Sequence, residues 1–380
     1  MGSKETAAEA FGSVEHELRE ISRWMYENPE IAFEERETSA KIVDFLGGNG
    51  FDVEYPAYGL DTAFAARVGS SGPEVVICCE LDALPEVGHA CGHNIIATAA
   101  AGAGVALVPL AEELGIKVTV LGTPAEEMHG GKVDLINAGA WSDAAASIMI
   151  HPSNNDVTDR EFLAIAHITV EFHGKASHAS SEPQLGVNAL DAAVQAYVNV
   201  STLRQSLYPT DKTHGVITYG GGAPNVIPEY TSMSWYVRAL TQDRLDEVYT
   251  KVVACFDAAA LATGCRVEVK PIGHPYTDIA PNPVMADLYS ANSEALGRPM
   301  KRMADFDPAG AGSTDMGNVS YEVPSLHPML SIHAEPHTNH QREFAAHTLT
   351  PHGEAAIRDG ALGMAWTVID LAEGDRWTDL

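Results

Sequence analysis

The sequence predicts an α/β fold with a mostly parallel central sheet, interrupted by an inserted α+β domain. Three observations carry that reading. In the N-terminal part, short apolar runs such as VVICC and KVTVL alternate with helical patterns, as a parallel sheet covered by helices requires. After about residue 160 the texture changes to longer, alternating strands in a β-α-β-β-α-β order. From about residue 280, PVMADLYSANSEALG and GEAAIRDGALGMAWTVIDLAEG return to helices. Residues 1–162 and 278–380 are therefore expected to form one domain and 163–277 the insertion. A chain of 380 residues is long for a single core, which favours this division.

Taken in order, EHELREISRWMYENPE and EERETSAKIVDFLGGNG read as helices, the second ending on glycines. VVICC, inside PEVVICCELDALP, is β-branched and apolar enough for a buried strand. GHACGHN opens an Ala-rich helix that Pro109 breaks. KVTVLGTPAEE runs a strand straight into two acids, and ASIMIHP runs one into a histidine. In open α/β sheets, sites gather beyond the carboxyl ends of the strands, where Asp82, Glu126, Glu127 and His151 fall. In the insertion, FLAIAHITVEFHGK, HGVITYGGG, TSMSWYVRAL and CRVEVKPIG read as strands. NALDAAVQAYVNVSTLRQSL and DRLDEVYTKVVACFDAAALATG read as its two helices.

Composition excludes several classes. A formal charge of −29 argues against nucleic acid and anionic membranes as partners, and an acidic substrate would need a local basic pocket. Five scattered cysteines do not make a secreted disulfide framework. The N-terminal MGSKETAAEAFGSVEHEL lacks an apolar signal core, and no run is long enough to span a membrane. A cytoplasmic protein is expected.

GHACGHN places two imidazoles and a thiol within five positions, His89 to His93, beside a helix N-terminus whose dipole favours thiolate. A buried packing cysteine is the plain alternative for Cys91, and a hydrogen-bonded core histidine for His89 and His93. Glu126 and Glu127 follow a strand directly. Adjacent residues there point to different sides, so one carboxylate can hold a metal while the other faces a water. That division suits metal-assisted hydrolysis, with a free carboxylate carrying the proton. Asp82 is placed to orient a ligating histidine.

In this order, ELDALP at 80–85, HACGHN at 89–94, PAEE at 124–127, HP at 151–152, GKASHAS at 174–180, GGGAPNVIPE at 220–229 and GSTDMGNVS at 312–320 resemble the aminoacylase/carboxypeptidase family of dinuclear-metal amidohydrolases. More narrowly, they resemble its cysteine-ligand branch, which includes plant auxin-conjugate hydrolases and bacterial aminobenzoyl-glutamate hydrolase. The resemblance implies a zinc-exopeptidase-like catalytic domain carrying a ferredoxin-like lid and dimerisation domain. It implies two divalent ions per subunit, zinc or manganese with cobalt also suitable. Cys91 would be shared between them, with His93, Glu127 and His151 as further ligands. Glu126 would be the general base.

The last ligand would be a C-terminal histidine. NHQREF favours His340, with His337 as its rival. His178 would reach the neighbouring subunit's site as an oxyanion donor, although a capping role also suits its context. Asn225 would contact substrate. Arg238 would bind a substrate carboxylate or, alternatively, pair with an acid of this chain. Asn94 stands where most of the branch has Asp; it points toward the aminobenzoyl-glutamate and dipeptide-hydrolase sub-branch and leaves the metals less neutralised.

The expected reaction is hydrolysis of an N-acyl or N-aroyl amino acid or a small dipeptide by a homodimer. Deamination of an activated aromatic amine on the same site is the alternative. A non-catalytic metal-binding scaffold and a hydrolase using Cys91 as nucleophile are the other classes to be tested.

Overall fold

The computed structural model describes residues 2–305 and 312–380. The chain divides into two compact units. Among the described residues, the first comprises 2–161, 279–305 and 315–380, and the second comprises 162–278 with 312–314.

The first unit opens with helices α1 (Ser3–Glu27) and α2 (Arg36–Gly48), then strands β1 (Asp52–Glu54), β2 (Phe64–Val68) and β3 (Glu74–Glu80). Helices α3 (His93–Leu107) and α4 (Ala111–Leu114) precede β4 (Lys117–Thr123), α5 (Gly131–Asn137), β5 (Ala144–Ile148) and the short β6 (His151–Ser153). β3 is buried along almost its whole length and α3 all round, because Val, Ile, Cys and Ala leave no polar face. The helix stops before Pro109, which cannot continue the hydrogen-bond ladder.

The second unit contains β7 (Ala164–His173), β8 (Ser177–His178), α6 (Ala189–Leu203), β9 (Lys212–Tyr219), β10 (Val226–Ile227), β11 (Tyr230–Ala239), α7 (Gln242–Thr263) and β12 (Arg266–Pro271). Its four-stranded sheet has the order β12-β7-β11-β9 with every pairing antiparallel, a ferredoxin-like arrangement. β7 and β11 alternate buried and half-buried residues, so one sheet face meets α6 and α7 around Trp235, Phe172 and Phe256. β8 pairs with β10 as a separate ribbon.

The chain then returns to the first unit with α8 (Pro283–Ala295), α9 (Met316–Glu322), β13 (Ser325–Leu326), β14 (Met329–Ser331), α10 (Arg342–His347) and α11 (Pro351–Glu373). Its main sheet has the order β1-β2-β4-β3-β5-β13. β3 is parallel to β4 and β5, and β13 is parallel to β5, whereas β1 and β2 form an antiparallel edge. Among the described residues, no helix is long and apolar enough to cross a membrane.

Three local expectations shift. The division falls one residue earlier at the front of the insertion and one later at its end. Residues 312–314 group with the second unit, because Leu163 N–H donates to the Gly312 carbonyl at 2.8 Å and Arg238 reaches Ser313. His151 does not end the ASIMI strand. β5 stops at Ile148 and His151 opens β6, which runs parallel to β14.

Candidate metal centre

Cys91, His93, Glu126, Glu127, His151 and His340 all come together in the first unit. Their donor atoms form three overlapping groups that could each hold a metal ion: Cys91 with His93 and His151, Cys91 with Glu127 and His340, and His93 with Glu126 and Glu127. Cys91 belongs to two of these groups, the position a shared ligand needs. Cys91 Sγ lies 3.4 Å from His151 Nε2 and 3.6 Å from His340 Nε2. Glu127 spans the cluster, with one oxygen 3.7 Å from His93 Nε2 and the other 3.5 Å from His340 Nε2.

Local backbone chemistry brings these groups into place. Gly92, between Cys91 and His93, has φ 85° and is the residue before α3; a Cβ there would meet Pro152 Cγ at 2.7 Å. Only glycine fits this position, and its lack of a Cβ lets GHACGHN pack closely against the His151-Pro152 pair. His151 Nδ1 lies 2.8 Å from the Pro152 carbonyl and so carries the proton, leaving Nε2 with its lone pair toward Cys91. Phe344, four residues after His340, is fully buried and anchors the loop that presents this histidine.

Glu126 and Glu127 are not on a strand, contrary to the alternation argument: β4 ends at Thr123 and Ala125 has φ 62°. Both carboxylates still reach His93, with which they form one ligand group. Asp82 holds the turn, accepting the backbone N–H of Glu126 at 3.2 Å and of Glu127 at 3.0 Å, while its Oδ1 sits 3.3 Å from His93 Nδ1. A carboxylate so placed fixes the ring and leaves Nε2 facing the cluster. At the far end of the turn a Cβ on Gly131 would lie 1.9 Å from the Pro124 carbonyl oxygen, so the loop can close only on glycine.

Burial and mutual charge shift the acidities of these groups. Burial, then the charges of Glu80 and Glu127, pushes Glu126 well above the usual carboxylate range. Burial raises Glu127 to about 7. Burial and the Glu127 carboxylate push the Cys91 thiol well up. Burial lowers His151 to about 4. Burial also pulls His93 down, but Glu80 and Asp82 more than offset it and leave it well above the ordinary histidine value. Both ring nitrogens of His93, Glu127 Oε1 and Glu80 Oε2 are buried with ion-pair contacts of 3.3–3.7 Å but no well-formed hydrogen bond. Imidazole and carboxylate atoms of this kind, gathered around a cysteine sulfur, fit divalent metal ions.

Several site residues escaped the sequence reading. Lys132 is fully buried, its Nζ 2.6 Å from both Glu80 Oε1 and Asp315 Oδ1, while its backbone N–H donates to Asp315 Oδ2 at 3.0 Å. Glu80, Glu126 and Asp315 form a further carboxylate group beside it. Glu80 also places Oε2 3.3 Å from His93 Nε2. Glu35, fully buried, accepts the Ala125 N–H. A signal existed for Glu80, an acid ending a buried strand two residues before Asp82; none marked Glu35 or Lys132.

Other expected residues lie elsewhere. His89 is buried outside the ligand groups, and burial holds its pKa down at about 3. His337 N–H donates to the Ala334 carbonyl, and this residue joins none of the ligand groups. Asn94 Nδ2 donates to Ser22 Oγ at 3.0 Å and Thr348 Oγ1 at 3.1 Å, while its Oδ1 is buried without a hydrogen-bond partner.

His178, Asn225 and Arg238 belong to the second unit. His178 Nδ1 accepts the N–H groups of Ser180 and Ser181, so the expected capping contact is present and Nε2 carries the proton. The Ala179 N–H donates to the Asn225 carbonyl, which brings His178 and Asn225 side by side. Arg238 donates to Ser313 Oγ at 3.0 Å and forms no ion pair among the described residues. Tyr236, His167 and His214 lie in one cross-strand row beside it.

Residues 163–263 match the peptidase dimerisation domain family. Xaa-Arg dipeptidase of Mus musculus is 39% identical over 97% of this chain and 88% of its own length. A putative aminohydrolase from methicillin-resistant Staphylococcus aureus superposes with a TM-score of 0.80 at 20% identity, covering 97% of this chain and 99% of that one. A dinuclear metal binding peptidase from the M20 family of Bacillus subtilis gives 0.68 at 20% identity, covering 94% and 99%.

Proposed function

This chain belongs to the M20 family of metal-dependent peptidases, and from that premise we propose how its residues divide the work and which substrate they take. It is a hydrolase of carbon–nitrogen bonds, cleaving the amide of an N-acyl or N-aroyl amino acid or a small dipeptide. The observation that carries the reading is the convergence of Cys91, His93, Glu127, His151 and His340 with a second, adjacent carboxylate at Glu126.

Cys91, His93 and His151 would hold one divalent ion and Cys91, Glu127 and His340 a second, with zinc or manganese best suited to this donor set and cobalt also able to bind. When bound, the ions polarise the scissile carbonyl and lower the pKa of a water. Glu126 takes the proton of that water and delivers it to the departing amine nitrogen. Glu126 is suited to that role by lying beside the ligand Glu127 and His93 without being needed in either ligand set. Asp82 holds His93 and the turn. His178, with its Nε2 proton facing outward, supplies an oxyanion donor to the partner subunit of a homodimer. Edge strand β9 and helix α6 expose Val216, Ile217, Tyr219, Val194 and Val198, an apolar face suited to that dimer. Arg238 and Asn225 receive the substrate's carboxylate and polar groups.

The substrate we favour releases an amino acid with a cationic side chain. Similarity to a dipeptidase named for arginine supports this, as does a net charge of −29, which attracts cations and repels anions. The test is an activity screen with added manganese or zinc across dipeptides ending in arginine, N-acyl amino acids and aminobenzoyl-glutamate, reading amino-acid and ammonia release separately. Ammonia without an amino acid would instead mean deamination. Glu126→Gln should keep its metal and lose about 10²- to 10⁴-fold in turnover; near-normal turnover refutes the base assignment.

A further inference from the structure

We propose that Glu35 is a positioning residue for the proton carrier: it holds Ala125 in the left-handed conformation that directs Glu126 and Glu127 to their separate tasks. The proposal rests on the reading of Glu126 given above. Ala125 has φ 62°, a region that costs a residue with a Cβ and persists only where its surroundings over-determine it. An ordinary negative φ here would rotate the chain that follows, and both carboxylates with it.

The restraints can be counted. The Ala125 carbonyl accepts the Gly130 N–H at 3.0 Å, and the two N–H groups after Ala125 go to Asp82. The Ala125 N–H itself donates to Glu35 Oε1 at 3.0 Å. Glu35 lies 90 residues back along the chain, immediately before α2, and is built in rigidly. Its Oε2 accepts from Thr62 Oγ1 at 2.9 Å, its backbone carbonyl accepts the Ser39 N–H at 2.9 Å, and Ser39 Oγ donates to the Thr62 carbonyl at 2.7 Å. Glu35, Ser39 and Thr62 are all fully or almost fully buried, and none belongs to a ligand group. A buried carboxyl group is costly, and neither the metal-ligand set nor the proton transfer uses this one. Among the described residues, its one hydrogen bond to the turn is the strained amide next to Glu126.

The experiment compares Glu35→Ala, Glu35→Gln, the double variant Glu35→Ala with Ala125→Gly, and Glu126→Gln. Each is measured as metal-loaded protein for kcat, KM and metal content per chain. Glu35→Ala is expected to lower kcat by about 10- to 100-fold, the effect of a buried donor left unpaired, with KM unchanged; any fall in metal content traces to Glu127 and should be reversed, with kcat, by the glycine variant. Glu35→Gln, whose amide oxygen still accepts the Ala125 N–H, should lose severalfold less. Ala125→Gly in the Glu35→Ala background should recover much of the loss, because glycine adopts positive φ without strain. If Glu35→Ala does not fold, Glu35→Asp takes its place: it keeps the charge, shortens the reach and should show the same glycine rescue. A glutamine variant as damaged as the alanine variant, or failure of glycine to rescue, would each overturn the proposal. Severe loss in Glu126→Gln with normal turnover in Glu35→Ala overturns this proposal alone. Normal turnover in Glu126→Gln overturns the base assignment and this proposal together.

Discussion

Lys132→Met offers the sharpest energetic test of the site. Lys132, Glu80 and Asp315 are all fully buried, and the ammonium sits 2.6 Å from each carboxylate. Methionine keeps the volume but removes the charge, leaving two carboxylates in the interior with no cation between them. Removing one partner of a buried ion pair typically costs about 3–5 kcal/mol, because the remaining charge is uncompensated. At ~2–4 °C per kcal/mol for a unit of this size, the melting temperature of metal-free protein should fall by on the order of 10 °C. Differential scanning calorimetry without metal reads the change directly. The deficit should shrink as pH falls, since protonating Glu80 and Asp315 removes the unpaired charges. Adding Asp315→Asn to Lys132→Met should recover part of the loss, because one of the two stranded carboxylates is then gone. A shift of only a degree or two, or no recovery in the double variant, would refute the argument that Lys132 is there to balance these acids.

Cys91→Ala should lose bound metal in elemental analysis while retaining its far-UV circular dichroism, because Cys91 belongs to two of the three ligand groups. If the thiol were instead a nucleophile, a chelator would leave wild-type activity intact. His178→Ala and Glu126→Gln homodimers should each be nearly inactive, yet subunit exchange between them should restore activity through hybrid sites; no restoration would place His178 in its own subunit's reaction. Burial, then the Asp82 charge, lifts the folded-state pKa of Glu35 from 4.5 to about 7. The folded protein therefore binds more protons than the unfolded chain in that window, and about 3 kcal/mol of stability is lost as pH rises through it. Glu35→Gln should flatten the decline in melting temperature between about pH 5 and 8; parallel slopes would refute the shift.

The sequence made legible the parts of the site that come from strand ends and short motifs. Cys91 and His93 are fixed by a glycine between them, and His151 by a proline after it, so local spacing carries their positions. The alternation of VVICC and KVTVL with helices likewise marked the sheet, because strands buried on both faces must be apolar throughout. What stayed hidden depends on contacts between distant segments. Lys132 reads as an ordinary loop lysine until Glu80, 52 positions earlier, and Asp315, 183 positions later, close around it. Glu35 sits among the acids of FEERETS and differs from its neighbours only by being buried. The reading of Glu126 and Glu127 as alternate sides of a strand does not hold, since β4 ends at Thr123 and a left-handed Ala125 turns the chain before the two acids. Asn94 pointed toward the dipeptide-hydrolase relatives, and the similarity to Xaa-Arg dipeptidase agrees with it.

The turn bearing Glu126 and Glu127 is gripped by three carboxyl side chains, Glu35, Asp82 and Asp315, through the backbone N–H groups of Ala125, Glu126, Glu127 and Lys132. These bonds use no atom assigned here to a metal ion. The shape of this loop therefore rests on backbone hydrogen bonds that no candidate ligand atom makes, so exchanging a single ligand side chain should leave the turn itself in place.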